Sequence, residues 1–251
     1  MSDPRPGFQG LWNVIRFNWP YYLFAGLAIA AGAFLARTIL APAAAVVWAG
    51  VFLASFWMLA SLLATLYVYD ISELYQWRWM EELLGAAPEA WANFHAGLDE
   101  SSEAMRALWP SSTGRVIDIF DARKMTEASI ERARDTSFGK SDAAMRDGVV
   151  PIESSALDAA FAIFSAHELR EEAERADFFR ELARVVKAEG RLVVVEHLRD
   201  IRNFVAYGPA FRHFFTRGQW LRVAADAGFS VQTEKKIAGL VHCFVFRRGP
   251  K

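Results

Sequence analysis

Phe179–Glu196 reads FRELARVVKAEGRLVVVE. Its first half completes a longer amphipathic stretch, Leu169–Lys187, in which apolar residues return at helical spacing among acids and arginines. Gly190 closes that helix, and Arg191–Glu196 follows as a nearly all-valine strand. A long helix feeding directly into a buried strand is the repeating unit of an α/β sheet.

The same alternation extends outward. Upstream, Leu157–Phe164 is a strand, Met125–Arg134 a helix, and Val116–Phe120 a strand ending at Asp121. Between these lies Lys140–Gly148, polar and loop-like, and before them Ser112-Thr113-Gly114 reads as a turn. Trp91–His95 is a short apolar stretch, and Ser101–Trp109 is helical. Downstream, Gln219–Ala227 is a helix stopped by Gly228, and Ser230–Ile237 and His242–Arg248 are two adjacent strands. The pattern predicts a doubly wound, mostly parallel sheet with helices on both faces and an antiparallel pair at one edge.

In order and spacing, Pro151-Ile152-Glu153, Leu157–Phe161, His167-Glu168-Leu169, Phe179–Glu196 and Ala227-Gly228-Phe229 resemble the second half of class I S-adenosylmethionine-dependent methyltransferases. The resemblance spans roughly Trp91 to Arg248, inside a domain drawn at 85–251. It implies a methyl donor, S-adenosylmethionine, at the carboxyl ends of the first strands. The family's Gly-x-Gly-x-Gly turn corresponds to Gly97-Leu98-Asp99-Glu100-Ser101, which keeps only the first glycine. Asp99 and Ser101 put side chains where the family has bare backbone, and the acid that usually precedes the turn is His95. The resemblance thus implies a degenerate donor site. Asp121 takes the place of the acid that holds the ribose hydroxyls, a role equally open to a helix cap. Asp147 takes that of an acid on the adenine amino group, or is a solvated loop residue. His167, after the fourth strand, and Glu196-His197, ending the fifth, are the candidates for catalysis, a histidine of near-neutral pKa being a usable base. A histidine capping the next helix is the plainer reading of His167.

Ahead of this domain, Phe17–Ala36 and Thr38–Tyr69 carry no charge, and only Arg37 separates them. A bilayer core of about 30 Å takes roughly 20 apolar residues. Residues 1–84 are therefore expected to be an anchor with two transmembrane helices, about 17–40 and 43–69, turning near Pro42, followed by an exit helix from Asp70 to Leu84. Arg5, Arg16 and Arg78 flank the terminal side and Arg37 alone the turn, which predicts a multi-pass protein of the inner (cytoplasmic) membrane with its large domain cytoplasmic. Trp12, Trp19, Tyr21 and Tyr22 at the entry, and Tyr67, Tyr69, Tyr75, Trp77 and Trp79 at the exit, suit the headgroup layer. The absence of acids, lysine and histidine within the spans argues against transport or pigment ligation. Gly26, Gly32 and the alanines around them either pack the two spans together or dock on a partner's helices.

The net charge of −1 offers no basic field for nucleic acid. The single cysteine, Cys243, sits in a strand as a packed thiol and excludes an internal disulfide. No metal-spaced histidine pair, nucleophile triad or phosphate loop is present, so no metal is expected. Arg199–Trp220 interleaves aromatic and basic residues, as a substrate lid, a membrane-facing surface or a packed helix would. Two functions follow. One is a structural or assembly subunit held in the lipid bilayer with integral membrane partners; the architecture resembles methyltransferase-like accessory subunits beside photosynthetic reaction-centre and antenna complexes. The other is an active methyltransferase on a membrane-soluble quinone, lipid or tetrapyrrole.

Overall fold

The computed structural model describes residues 6–136 and 141–250; Arg5 and Lys140 lie outside them. Seven strands form one sheet in the order β3-β2-β1-β4-β5-β7-β6. They are β1 (Ala90–His95), β2 (Thr113–Asp118), β3 (Ala143–Ala144), β4 (Leu157–Ile163), β5 (Val186–His197), β6 (Phe229–Ile237) and β7 (Val241–Arg248). β1 pairs in parallel with β2 and β4, β2 with β3, and β4 with β5, whereas β7 is antiparallel to β5 and β6. The helices are α1 (Gln9–Leu35), α2 (Ala41–Leu66), α3 (Trp79–Leu84), α4 (Ser102–Leu108), α5 (Ala128–Arg134), α6 (Glu172–Val185), α7 (Ile201–Tyr207) and α8 (Arg217–Asp226).

The valine run is buried on both faces. Leu192 and Val194 join Ala160, Phe178, Phe179, Leu182 and Trp220 in one core, while Val193 and Val195 join Phe161, Trp91 and Trp109 in the other. Residues Val68, Leu74, Trp77, Trp79, Met80 and Leu84 complete the second core, so the segment after α2 forms a layer of the sheet domain. It is no continuous helix: a π turn at Tyr67–Ile71 and a 3-10 turn at Leu74–Gln76 precede α3, and Trp77 takes φ 61°. Trp77 and Trp79 are accordingly core residues, with the Trp79 indole N–H donating to Leu74 O (2.9 Å), and do not sit at a headgroup layer.

Other expectations shift with tertiary context. Thr113-Gly114 starts β2 instead of turning, because Trp91 of the neighbouring strand lies across Gly114 and leaves no room for a Cβ. β2 ends at Asp118, not Asp121. The polar Lys140–Gly148 stretch holds the short edge strand β3. Gly190 does not stop a helix: it lies inside β5, where Lys187 O and Asp158 O crowd its missing Cβ beside a break in the β4–β5 register.

α1 and α2 pack together at Gly32, whose Cβ position lies 2.8 Å from Val51, whereas that of Gly26 is open. Asp70 accepts the amides of Gly10 and Leu11 (2.8 Å each), tying the end of the apolar run to the start of α1. α1 kinks at Asn18 beside Pro20, and Arg132 of α5 donates to the Phe17 carbonyl (2.6 Å) at the kink. Among the described residues one helical run, Ala41–Gln76, is long and apolar enough to cross a membrane. α1 does not meet that test, since Arg16, Asn18, Pro20 and two tyrosines dilute its first half. The expectation of two spans is met by one helix on length and composition.

Candidate functional site

The carboxyl ends of β1 and β2 are filled by side chains of the chain itself. Asp99 accepts the Ser101 and Ser102 amides (3.0 Å each) and, with both serine hydroxyls, takes up the Asn93 amide group. It opens α4 as a structural cap. His95 is buried, its Nδ1 donating to Gly97 O (3.1 Å) and its Nε2 lying 2.8 Å from Ser141 Oγ. The open side of Gly97 faces α5: a Cβ there would touch Ala133, Arg134 and Ile130 at 3.7–3.8 Å.

Because β2 stops early, the strand-end acid is Asp118. Arg134 grips both of its oxygens (3.0 and 2.8 Å), donates to Ala96 O (3.1 Å), and lays its guanidinium 4.1 Å from the Phe120 ring centroid. Asp121 lies farther out. Its hydrogen bonds from Arg123 hold its pKa below the usual carboxylate value. Asp147 is an exposed turn residue at φ 49°, 3.7 Å from Arg123. Asp121 and Asp147 do share a cleft of about 540 Å³, with Phe120, Met145 and Phe178 in its wall.

His167 and Glu196 meet beyond β4 and β5. His167 Nδ1 is 2.8 Å from Glu196 Oε2, its backbone amide donates to Glu196 Oε1 (3.2 Å), and its Nε2 lies 3.3 Å from Glu168 Oε1. Burial alone would push the His167 pKa down, but the carboxylates of Glu196 and Glu168 outweigh it and hold it well above the ordinary imidazole value. His167 is therefore clamped between two carboxylates and has no free ring nitrogen facing a substrate. His197 is elsewhere. Its Nδ1 donates to Asn203 Oδ1 and Leu240 O (3.1 Å each), so its Nε2 accepts from the Tyr69 hydroxyl (2.9 Å). Burial lowers its pKa to about 4. It is a neutral joint between the end of the apolar run and the sheet.

Of the residues singled out in the sequence, the structure brings together His167 with Glu196, and Asp121 with Asp147, but separates His197 from both pairs. The sequence reading misses Asp118, Arg134, Glu168 and His213. The alternation Val116-Ile117-Asp118 was a usable signal for the first of these.

A family model described as "Methyltransferase domain" matches residues 98–194. No curated protein matches the chain. Among solved structures, the PH0226 protein from Pyrococcus horikoshii OT3 superposes with a TM-score of 0.50 at 14% identity, covering 72% of this chain and 94% of that one. A SAM-dependent methyltransferase from Aquifex aeolicus gives 0.48 at 17%, covering 71% and 93%. Human N-acetylserotonin methyltransferase, solved with SAM, gives 0.49 at 14%, covering 79% and 59%. The strand order with its antiparallel β7, the matched domain and the Pyrococcus likeness give this chain a class I methyltransferase α/β fold.

Proposed function

We propose that this chain is a membrane-anchored, methyltransferase-like structural or assembly subunit whose donor site is degenerate. The observation that carries the reading is Arg134, which occupies both oxygens of the strand-end acid Asp118 while α5 covers Gly97. In this arrangement the residues present do not fit S-adenosylmethionine. Arg134 already engages both oxygens of the acid where a diol would bind, and the bare backbone of Gly97 meets a helix.

Membrane anchoring is supported by where apolar surface is left. Among the described residues, the large exposed apolar side chains lie between Phe8 and Ile71, apart from Val149, Ile201, Val205 and Val231. So concentrated an apolar surface calls for lipid or a partner. Gly32 is used within the helical pair, which leaves Gly26 as the open small-residue face for a partner helix. A multi-pass membrane complex, of which the photosynthetic type is the first to test, is the partner of this reading.

Calorimetry on the detergent-purified chain is expected to show no S-adenosylmethionine binding at sub-millimolar concentration. Saturable micromolar binding would overturn the degenerate site. Gly26→Leu is expected to strip the chain from its complex on mild-detergent purification while leaving it in the membrane. The second reading, an active methyltransferase on a membrane-soluble substrate, is favoured by the cleft that unites Asp121 and Asp147, and the same calorimetry decides between them.

A further inference from the structure

Beyond the fourth and fifth strands, His167 has two neighbours, Glu168 and His213, that neither reading uses. A ring nitrogen of His167, a ring nitrogen of His213 and a carboxylate oxygen of Glu168 all lie within 4.8 Å of one another. The two histidines are distant in sequence and come together because Arg170 donates to both His167 O (3.0 Å) and His213 O (2.8 Å). We propose that His167, Glu168 and His213 form a binding site for a divalent transition cation of the Zn²⁺ class.

Two imidazoles and one carboxylate are a donor set that suits such borderline ions and leaves a position open for water or a ligand. The outer groups favour it as well. Ligating histidines characteristically donate their second ring nitrogen to a carboxylate, which fixes the ring and raises its basicity. His167 Nδ1 is 2.8 Å from Glu196, whose side chain is 2% exposed, and His213 Nδ1 is 3.4 Å from Glu127. Both rings are thus held by carboxylates outside the cluster.

Glu168 adds an independent sign. Its Oε2 is buried and has no hydrogen-bond partner among the described residues. A buried carboxylate oxygen left bare costs free energy that a cation would recover. Three carboxylates, Glu127, Glu168 and Glu196, face the cluster against one guanidinium, that of Arg170, so the local field suits a dication. Side-chain exposures of 15%, 15% and 31% for His167, Glu168 and His213 leave a route for an ion from solvent. Tetrahedral ligation with bonds of about 2.0 Å sets ligand atoms roughly 3.3 Å apart, and His167 Nε2 already lies 3.3 Å from Glu168 Oε1.

The inference does not depend on donor binding. The full chain in detergent, stripped with a chelator, is titrated with Zn²⁺ by calorimetry and with Co²⁺ by visible absorption. One equivalent should bind with micromolar or tighter affinity and give Co²⁺ the intense bands of a low-coordinate nitrogen–oxygen site. His213→Gln, at a partly exposed position, should weaken Zn²⁺ binding at least tenfold with unchanged circular dichroism. Glu127→Gln should weaken it by roughly 10- to 100-fold, as loss of an outer carboxylate does. A folded chain that takes up no Zn²⁺, or one whose affinity survives both substitutions, overturns the site.

Discussion

Replacing Tyr69 by Phe removes one oxygen atom and tests how the apolar run is joined to the sheet. The Tyr69 hydroxyl is 2.9 Å from His197 Nε2, while His197 Nδ1 is committed to Asn203 and Leu240. The ring is enclosed by Phe214 (centroids 5.0 Å, stacked), Tyr207 (5.3 Å) and Phe164 (5.6 Å), so no water replaces the lost donor. A buried acceptor left unpaired costs about 1–3 kcal/mol. That is the expected fall in stability, read by thermal or denaturant unfolding in detergent. The pH dependence supplies a second number. His197 has a folded pKa of about 4 against an unfolded value of 6.5, because burial disfavours its cation. Between those values the unfolded chain holds a proton that the folded chain does not, so stability rises with pH across this window. The contribution is complete above pH 6.5 and is lost as pH falls through 4; at one pKa unit per 1.36 kcal/mol it amounts to about 3 kcal/mol. Imidazole NMR, with each of the five histidines assigned by its own Gln variant, should show His197 as the Nδ1–H tautomer still neutral at pH 5. A His197 that titrates near 6.5, or a Tyr69→Phe chain as stable as the parent, would refute the buried joint.

Gly114→Ala places a methyl 2.2 Å from Trp91 Cζ2 in the β1–β2 pair, and overpacking of this kind should cost about 1–3 kcal/mol in unfolding. Asp70→Ala leaves the Gly10 and Leu11 amides without their acceptor and should cost about 1 kcal/mol, seen as faster hydrogen exchange at those two amides.

Much of the α/β domain was legible because its signals are local. The valine run of β5, the periodic helix α6 and the Gly228 stop before β6 each announce themselves within a few residues. What failed was settled by distant neighbours. Thr113-Gly114 looks like a turn until Trp91 is known to lie over it, and Gly190 looks like a helix stop until β4 is known to press on it. At the candidate site the strand ends three residues earlier than the sequence reading places it. Val116–Phe120 runs on past Asp118 in apolar residues, and the partner that holds Asp118, Arg134, lies sixteen residues away in sequence. His213 was invisible as a partner of His167 because only the Arg170 clamp across the two backbones brings them together. The exit aromatics were misassigned for a related reason: tryptophans suit an interface and a core equally well, and only tertiary packing chose the core for Trp77 and Trp79.

The contacts of α2 fix where the sheet domain stands relative to any bilayer that the helix enters. Trp57 packs edge-on against Phe204 of α7 (centroids 5.4 Å) and leaves Gly208 no room for a Cβ. Trp57 lies nine residues before Leu66, the end of α2, which at 1.5 Å per residue is roughly 13 Å along the axis. α7 is therefore held alongside the helix and not merely at its end. It also exposes Ile201 and Val205, one helical turn apart, outside the helical pair. Under the proposed membrane reading these two side chains share the apolar layer with α2, while Arg199, which donates to Phe214 O and Arg212 O, braces the chain behind them. The cluster of His167, Glu168 and His213 follows immediately after α7 through Gly208–His213.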